Sequence, residues 1–323
     1  MVRHYRGSIL IITLWLVTIL ATLTVATARY LSFEVHLTKY RMAREQAKVL
    51  ARSGVYLAMQ RLATDAQEES YDWLQDDWAI FPQEDPDTDL SVWKVLMYPK
   101  ENTARETSAS IGYVEIRITD EDRNLDINKA SLNEITYLIG SADAASAIVY
   151  YYDSDTDGQW ETSVEDPPYI PKNAPVTVLE ELLAVPGVAS LFSLLEQSTV
   201  AIPPTNTPMA VNINTANAKV LGAIGMPSLA DDIIQFRKQG HYFTDLNPPT
   251  AEDPTVVVPF DTSDTEFLNT QNRLSVVSRV FRVETTGRIQ NQTVNARVKA
   301  VVDRALIGKA TQALPKVLSW QEG

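Results

Sequence analysis

The sequence predicts an α+β fold: a long N-terminal helix packed on an antiparallel sheet, with a large all-helical domain inserted between the strands. Three observations predict it. A helical pattern runs without a proline from Ser8 to about Ala66. Strand-like alternation occurs twice, between Ser91 and Thr119 and again between Arg273 and Asp303. The stretch between these two regions has a different texture, acidic and rich in short helices joined by glycine turns.

The helix comes first in the chain. Arg3 and Arg6 precede Ser8 to Ala28, a stretch without a charge. As a helix it is about 31 Å long, the thickness of a bilayer's hydrocarbon core. The flanking arginines place the N-terminus in the cytoplasm and the rest of the chain across the membrane. Ala26-Thr-Ala28 has the small-x-small pattern of a signal peptidase site. The helical pattern nevertheless continues beyond it. Ala43, Ala47, Leu50, Gly54, Leu57, Ala58 and Leu62 recur at spacings of three and four, with Arg41, Arg44, Lys48, Arg52 and Arg61 between them as solvated positions. Half of this helix is expected in lipid and half against a soluble head.

An acidic, aromatic linker follows, with Tyr71, Trp73 and Trp78 among carboxylates, and Pro82 and Pro86 excluding helix. It is expected to lie against the head. Ser91 to Tyr98 and Ala109 to Thr119 read as strands; Tyr113 to Ile118 alternates apolar and charged residues, the mark of a half-buried sheet. Arg273 to Val280, Phe281 to Arg288 and Gln292 to Asp303 read as a three-stranded meander closing the sheet near Arg304.

The insert, residues 121–266 at its most acidic, holds 22 Asp and Glu against 6 Lys and Arg, in a chain of net charge −13. It contains a repeat: Leu125-Asp-Ile-Asn-Lys-Ala-Ser131 and Val211-Asn-Ile-Asn-Thr-Ala-Asn217 each end in a helix-capping residue and lead into an apolar stretch, a glycine turn and a second helix. Leu183-Ala-Val-Pro-Gly-Val-Ala189 supplies a third such turn. Six to eight helices are expected. The turns resemble the helix-hairpin-helix, whose backbone amides hold a phosphate in DNA-binding proteins. This makes a membrane-anchored periplasmic DNA-binding protein of competence type the alternative reading. The charge weighs against it, since each phosphate contact needs a neutralising cation.

The composition restricts the chemistry further. The absence of cysteine rules out disulfides, thiolate nucleophiles and cysteine-held metals. His4, His36 and His241 lie in unlike contexts, a poor basis for a histidine metal site or a Ser-His-Asp triad. There is no phosphate-loop or nucleophile signature, and the chain reads as non-enzymatic. Asp153-Ser-Asp155-Thr-Asp157-Gly158 has three carboxylates at alternate positions and then glycine, like the opening of an EF-hand loop. The twelfth position is Val164, with Glu165 and Asp166 directly after it. A solvated acidic turn has the same composition, and these residues alone leave both readings open.

Arg6-Gly7 before an apolar stretch resembles a prepilin peptidase site, cut between Gly7 and Ser8. The long helix, apolar and then amphipathic, is the plan of type IV pilins. Most pilins have Phe first and Glu fifth in the mature chain; this one has Ser8 and Ile12. With the two Asn-Ile-Asn repeats and the segment Leu274 to Glu284, these features resemble the minor K pseudopilins of type II secretion. The resemblance implies a pilin-like fold, with 1–7 as leader, 8–66 as helix, 67–120 and 271–323 as the pilin-like domain and 121–270 as the insert. It implies prepilin peptidase processing, methylation, an inner-membrane anchor with a periplasmic head, and a place at the pseudopilus tip beside the I- and J-type minor pseudopilins and other pseudopilins, with no nucleic acid bound. The amphipathic half of the helix, through Ala47, Leu50 and Gly54, is expected to meet those partners. The resemblance also implies Ca2+ at the acidic stretch, held by Asp153, Asp155, Glu165 and Asp166, with Asp157 and Glu161 completing the candidate set.

Overall fold

The computed structural model describes residues 6–81, 89–97, 110–153, 171–202, 210–304 and 314–323, with side chains from Leu10 onward. Helix α1 (Arg6–Glu68) is continuous for 63 residues, about 95 Å. Its first half is exposed on all sides. Its second half buries most of the expected stripe: Ala43, Ala47, Leu50, Gly54, Ala58 and Leu62 are almost fully covered, Leu57 is only half-buried, and Ala51 and Val55 join the buried face.

The stripe lies on a five-stranded sheet of β1 (Trp93–Met97), β2 (Gly112–Asp120), β9 (Val280–Ile289), β10 (Asn295–Asp303) and β11 (Lys316–Glu322). The strand order is β1-β2-β9-β10-β11 and every neighbouring pair is antiparallel. Val114, Ile116 and Ile118 point onto α1, and Val283, Val298 and Ala300 join them. Glycines bring the helix this close. A Cβ on Gly287 would sit 2.1 Å from the Ala47 carbonyl oxygen, and one on Gly54 2.6 Å from Val114 Cγ2. Thr285 Oγ1 donates to the Ala51 carbonyl at 2.8 Å, tying sheet to helix.

Two expectations about the sheet need correction. Arg273 to Val280 is not a strand of the meander. Only β8 (Leu274–Ser275) is extended there, and it pairs in parallel with β5 (Val211–Asn212) inside the insert. Ser275 and Ser278 turn the backbone aside: Ser275 Oγ bonds both the N–H and the carbonyl of Val277, and Ser278 enters a polar network described below. The last strand is instead β11, in the segment read as a tail, so the sheet closes at Glu322 rather than near Arg304.

The insert contains α2 (Leu132–Ile139), α3 (Ala142–Tyr152), a 3₁₀ turn (Leu179–Ala184), α4 (Phe192–Glu196), α5 (Ala218–Ile224), α6 (Ala230–Lys238) and α7 (Thr265–Thr270) around a core of its own. It is not wholly helical, a third correction. Besides β5 with β8, β3 (Leu125–Asp126) pairs in parallel with β4 (Thr199–Val200), and β6 (Phe243–Leu246) pairs antiparallel with β7 (Pro249–Ala251). Ladders of two or three rungs are too short to leave a periodic signal. The sequence repeat is a structural one: each copy runs from a short parallel strand through a capped helix to a left-handed glycine and a second helix. Ser131 caps α2 and Gly140 ends it; Asn217 caps α5 and Gly225 ends it.

The linker lies against the head as expected. Trp78 is buried edge-on to Phe281, and Phe81 stacks on Trp93.

Candidate functional site

Among the described residues, α1 holds the one helix long and apolar enough to cross a membrane, and its most apolar window is wholly uncovered by protein. Its threonines hide their polarity within the helix. Thr13, Thr18 and Thr22 donate to carbonyls three residues back, and Thr24 and Thr27 to carbonyls four back. In hydrocarbon a hydroxyl has no water to turn to, so this internal bonding suits a lipid setting. Gly7 and Ser8 lie in the first turns of α1, so both sides of the expected cut belong to one continuous helix.

Below the lipid-length half, the faces of α1 divide. Ala47, Leu50 and Gly54, expected to meet partner helices, are covered by the protein's own sheet. The face left open carries Met42, Val49 and Tyr56, each more than half exposed. The expectation is corrected by the packing: small residues were needed for the internal contact with Gly287 and Val114.

Of the candidate calcium ligands, Asp155, Asp157, Glu161, Glu165 and Asp166 lie outside the described residues. Asp153 is the C-cap of α3, its N–H donating to the Val149 carbonyl at 3.0 Å. The acidic segment leaves α3 here and returns beside it: Lys172 and Asn173 both donate their N–H groups to the Tyr151 carbonyl, at 2.9 and 3.0 Å. The segment's two ends are therefore fastened together. Lys172 also pairs with Glu181 at 2.7 Å.

The helix-hairpin-helix turns are present, but the amides after the second turn are occupied. Ser228 and Leu229 donate their N–H groups to the Glu266 carboxylate, at 3.1 and 3.3 Å. An internal carboxylate thus takes the amides of the turn just ahead of α6.

A site that the sequence reading missed lies where the chain passes between sheet and insert. Asp65 near the end of α1, Asp72 and Asp76 in the linker, and Asp120 at the end of β2 are all buried. Arg304, just past β10, donates through Nη1 to Asp65 at 2.6 Å and through Nη2 to Asp72 and to the Ser278 carbonyl. Ser278 donates its N–H to Asp72 and its hydroxyl to Asp120, each at 2.6 Å, and accepts from Asn212 of the second repeat. Thr215 also donates to Asp120. Burial, reinforced by neighbouring carboxylates, pushes Asp65 and Asp120 up to about 8, and Asp76 to about 6. The network joins α1, the linker, β2, the repeat and the end of β10, so it fixes the insert on the pilin-like domain. One signal was legible: Asp65 follows Leu62 by three residues, which puts a carboxylate on the apolar face of the helix.

The architecture matches one chain of the GspK-GspI-GspJ complex from the type 2 secretion system of enterotoxigenic Escherichia coli, at a TM-score of 0.61 and 18% identity, over 88% of this chain and 99% of that one. At that identity the likeness is one of fold: a long helix on an antiparallel sheet with a helical insert. No family profile and no curated protein matches the sequence.

Proposed function

We propose that this chain is a non-enzymatic minor pseudopilin of the K type, anchored in the inner membrane with its head in the periplasm. It would sit at the tip of a type II secretion pseudopilus and help initiate its assembly for the export of folded proteins. The observation that carries this reading is α1: one helix, bare over a bilayer's length, then fitted to a sheet whose pairing continues on the far side of a helical insert. A single anchoring helix that is also the spine of the head is what a filament subunit needs to be drawn from the membrane without refolding. The same fold in a GspK-GspI-GspJ complex supports pseudopilin partners of the I and J types.

The tip position rests on Ile12, where most pilins have a glutamate that meets the N-terminal amine of a neighbour. Prepilin peptidase would cut after Gly7, with methylation of the new terminus. Mass spectrometry of the membrane-bound protein tests the reading. The expected mature chain begins at Ser8; a soluble product beginning at Arg29 overturns it.

A further inference from the structure

Between the linker and the insert lies a cavity of about 230 Å³, walled by Trp73, Arg237, Lys238, His241 and Tyr242. Its chemistry is opposite to that of its surroundings. The insert has 22 carboxylates to 6 lysines and arginines, yet two of those six stand side by side here, and no Asp or Glu is among the described residues that line the cavity. Arg237 is half-buried and Nη1 donates only to backbone, to the carbonyls of Ile213 and Ala216; Nε is buried without a hydrogen-bond partner among the described residues. A guanidinium at this depth ordinarily has a carboxylate beside it.

The charges nearby do not supply one. Burial and then the charge of Arg123 push Arg237 down to about 10, with Asp120 acting the other way. Asp120 is buried, which pushes it towards its neutral form, and its Oδ2 is already taken by the Ser278 and Thr215 hydroxyls. His241 has a partner in Glu252, 2.6 Å from Nδ1, which is not in the wall. One side of the cavity is a rigid aromatic surface, with Trp73 and Tyr242 stacked at 4.3 Å.

We propose that this cavity is a docking site for an acidic polypeptide segment of another protein, with an Asp or Glu side chain seated between Arg237 and Lys238 and its aliphatic stem against the Trp73–Tyr242 pair. The size favours a side chain: small-molecule pockets run to about 300–1,000 Å³. The argument from charge complementarity is local, because elsewhere the insert would repel such a segment. The proposal is independent of the pseudopilin reading.

Fluorescence anisotropy of labelled tetraglutamate and tetraglutamine peptides, titrated with the full chain in detergent, tests it. Tetraglutamate is expected to bind at least tenfold more tightly, and to weaken with added salt. Lys238→Glu, at an exposed position, should lower that affinity tenfold or more, and Trp73→Ala severalfold. Lys219→Glu, outside the cavity in the same domain, should leave it within twofold. Equal binding of the two peptides, or unchanged binding by Lys238→Glu with a native melting curve, overturns the proposal.

Discussion

Asn128 and Asn214, the fourth residues of the two repeats, grip later chain in the same way. Asn128 Oδ1 accepts from the Val176 N–H at 2.7 Å while Nδ2 donates to the Val176 carbonyl at 3.0 Å. Asn214 does the same to Phe243, with both bonds at 2.8 Å. Each side chain supplies the pair of backbone bonds that a neighbouring strand would make. The residue two places earlier orients it, since Asp126 and Asn212 accept the Asn128 and Asn214 N–H groups.

Asn214→Ala should therefore destabilise the protein by about 2–4 kcal/mol, because it strands two buried backbone groups of Phe243. Asn128→Ala should cost less, since Asn128 is only half-buried. Asp at position 214 should be no rescue, as it loses the donor. Thermal unfolding in detergent checks the order.

The glycine contacts between α1 and the sheet make a sharper prediction. Gly287→Ala drives a Cβ into the Ala47 carbonyl, a backbone atom that cannot rotate away. A loss of about 3 kcal/mol is expected, near the upper end for overpacking. Gly240→Ala, where open space surrounds the Cβ, should show only the strain of its left-handed φ of 92°.

The buried carboxylates set a pH dependence. Asp65, Asp76 and Asp120 stay protonated in the fold to about 8, 6 and 8, but ionise near 3.8 when unfolded. Above pH 4 the unfolded chain thus releases protons that the fold keeps. Their contribution to stability is complete below pH 4 and is lost as pH rises towards 8. The melting temperature should fall between pH 5 and 8, and Asp120→Asn should flatten that slope. A melting temperature that rises over this range would contradict the assignment.

The divided faces of α1 make a prediction for assembly. The chain has no cysteine, so single cysteines report cleanly. Cysteine at Val49 or Tyr56 should crosslink to neighbouring pseudopilins in membranes, while cysteine at Ala47, covered by the sheet, should not.

Calcium at the acidic segment is a proposal with its own test. Chelation should lower the melting temperature, since an ion held a hundredfold above its Kd stabilises the fold by about 2.7 kcal/mol. Asp153→Ala with Asp155→Ala should abolish the shift. Glu180→Ala is the proper control; Glu181 is not, because it pairs with Lys172 at the foot of the segment. Identical melting curves with and without chelator would return the segment to an acidic turn.

Much of this was legible in the residues. The helix could be read because charge-free length and small-residue periodicity are local properties, and Val114, Ile116 and Ile118 declared their shared face by alternation. The repeat could be read because its caps are local too. What escaped was non-local. Nothing near Leu274 says that its partner is Val211, and Lys316–Glu322 becomes a strand only because β10 offers it an edge. Asp72, Ser278 and Arg304 form a site only when three distant segments meet.

In the sheet, Asp120 on β2 faces Phe281 on β9, so the insert leaves and returns within a single rung. For a growing chain this matters to the order of events. While the insert is unfolded, β2 and β9 are the ends of a long loose loop, and bringing them together carries the closure entropy of its full length. Once the insert has folded on its own core, the same two ends leave it side by side. The helical module then acts as a folding template for the strands that flank it. A truncated or slowly folding insert should delay formation of the sheet, and so the moment at which α1 finds the surface made for it.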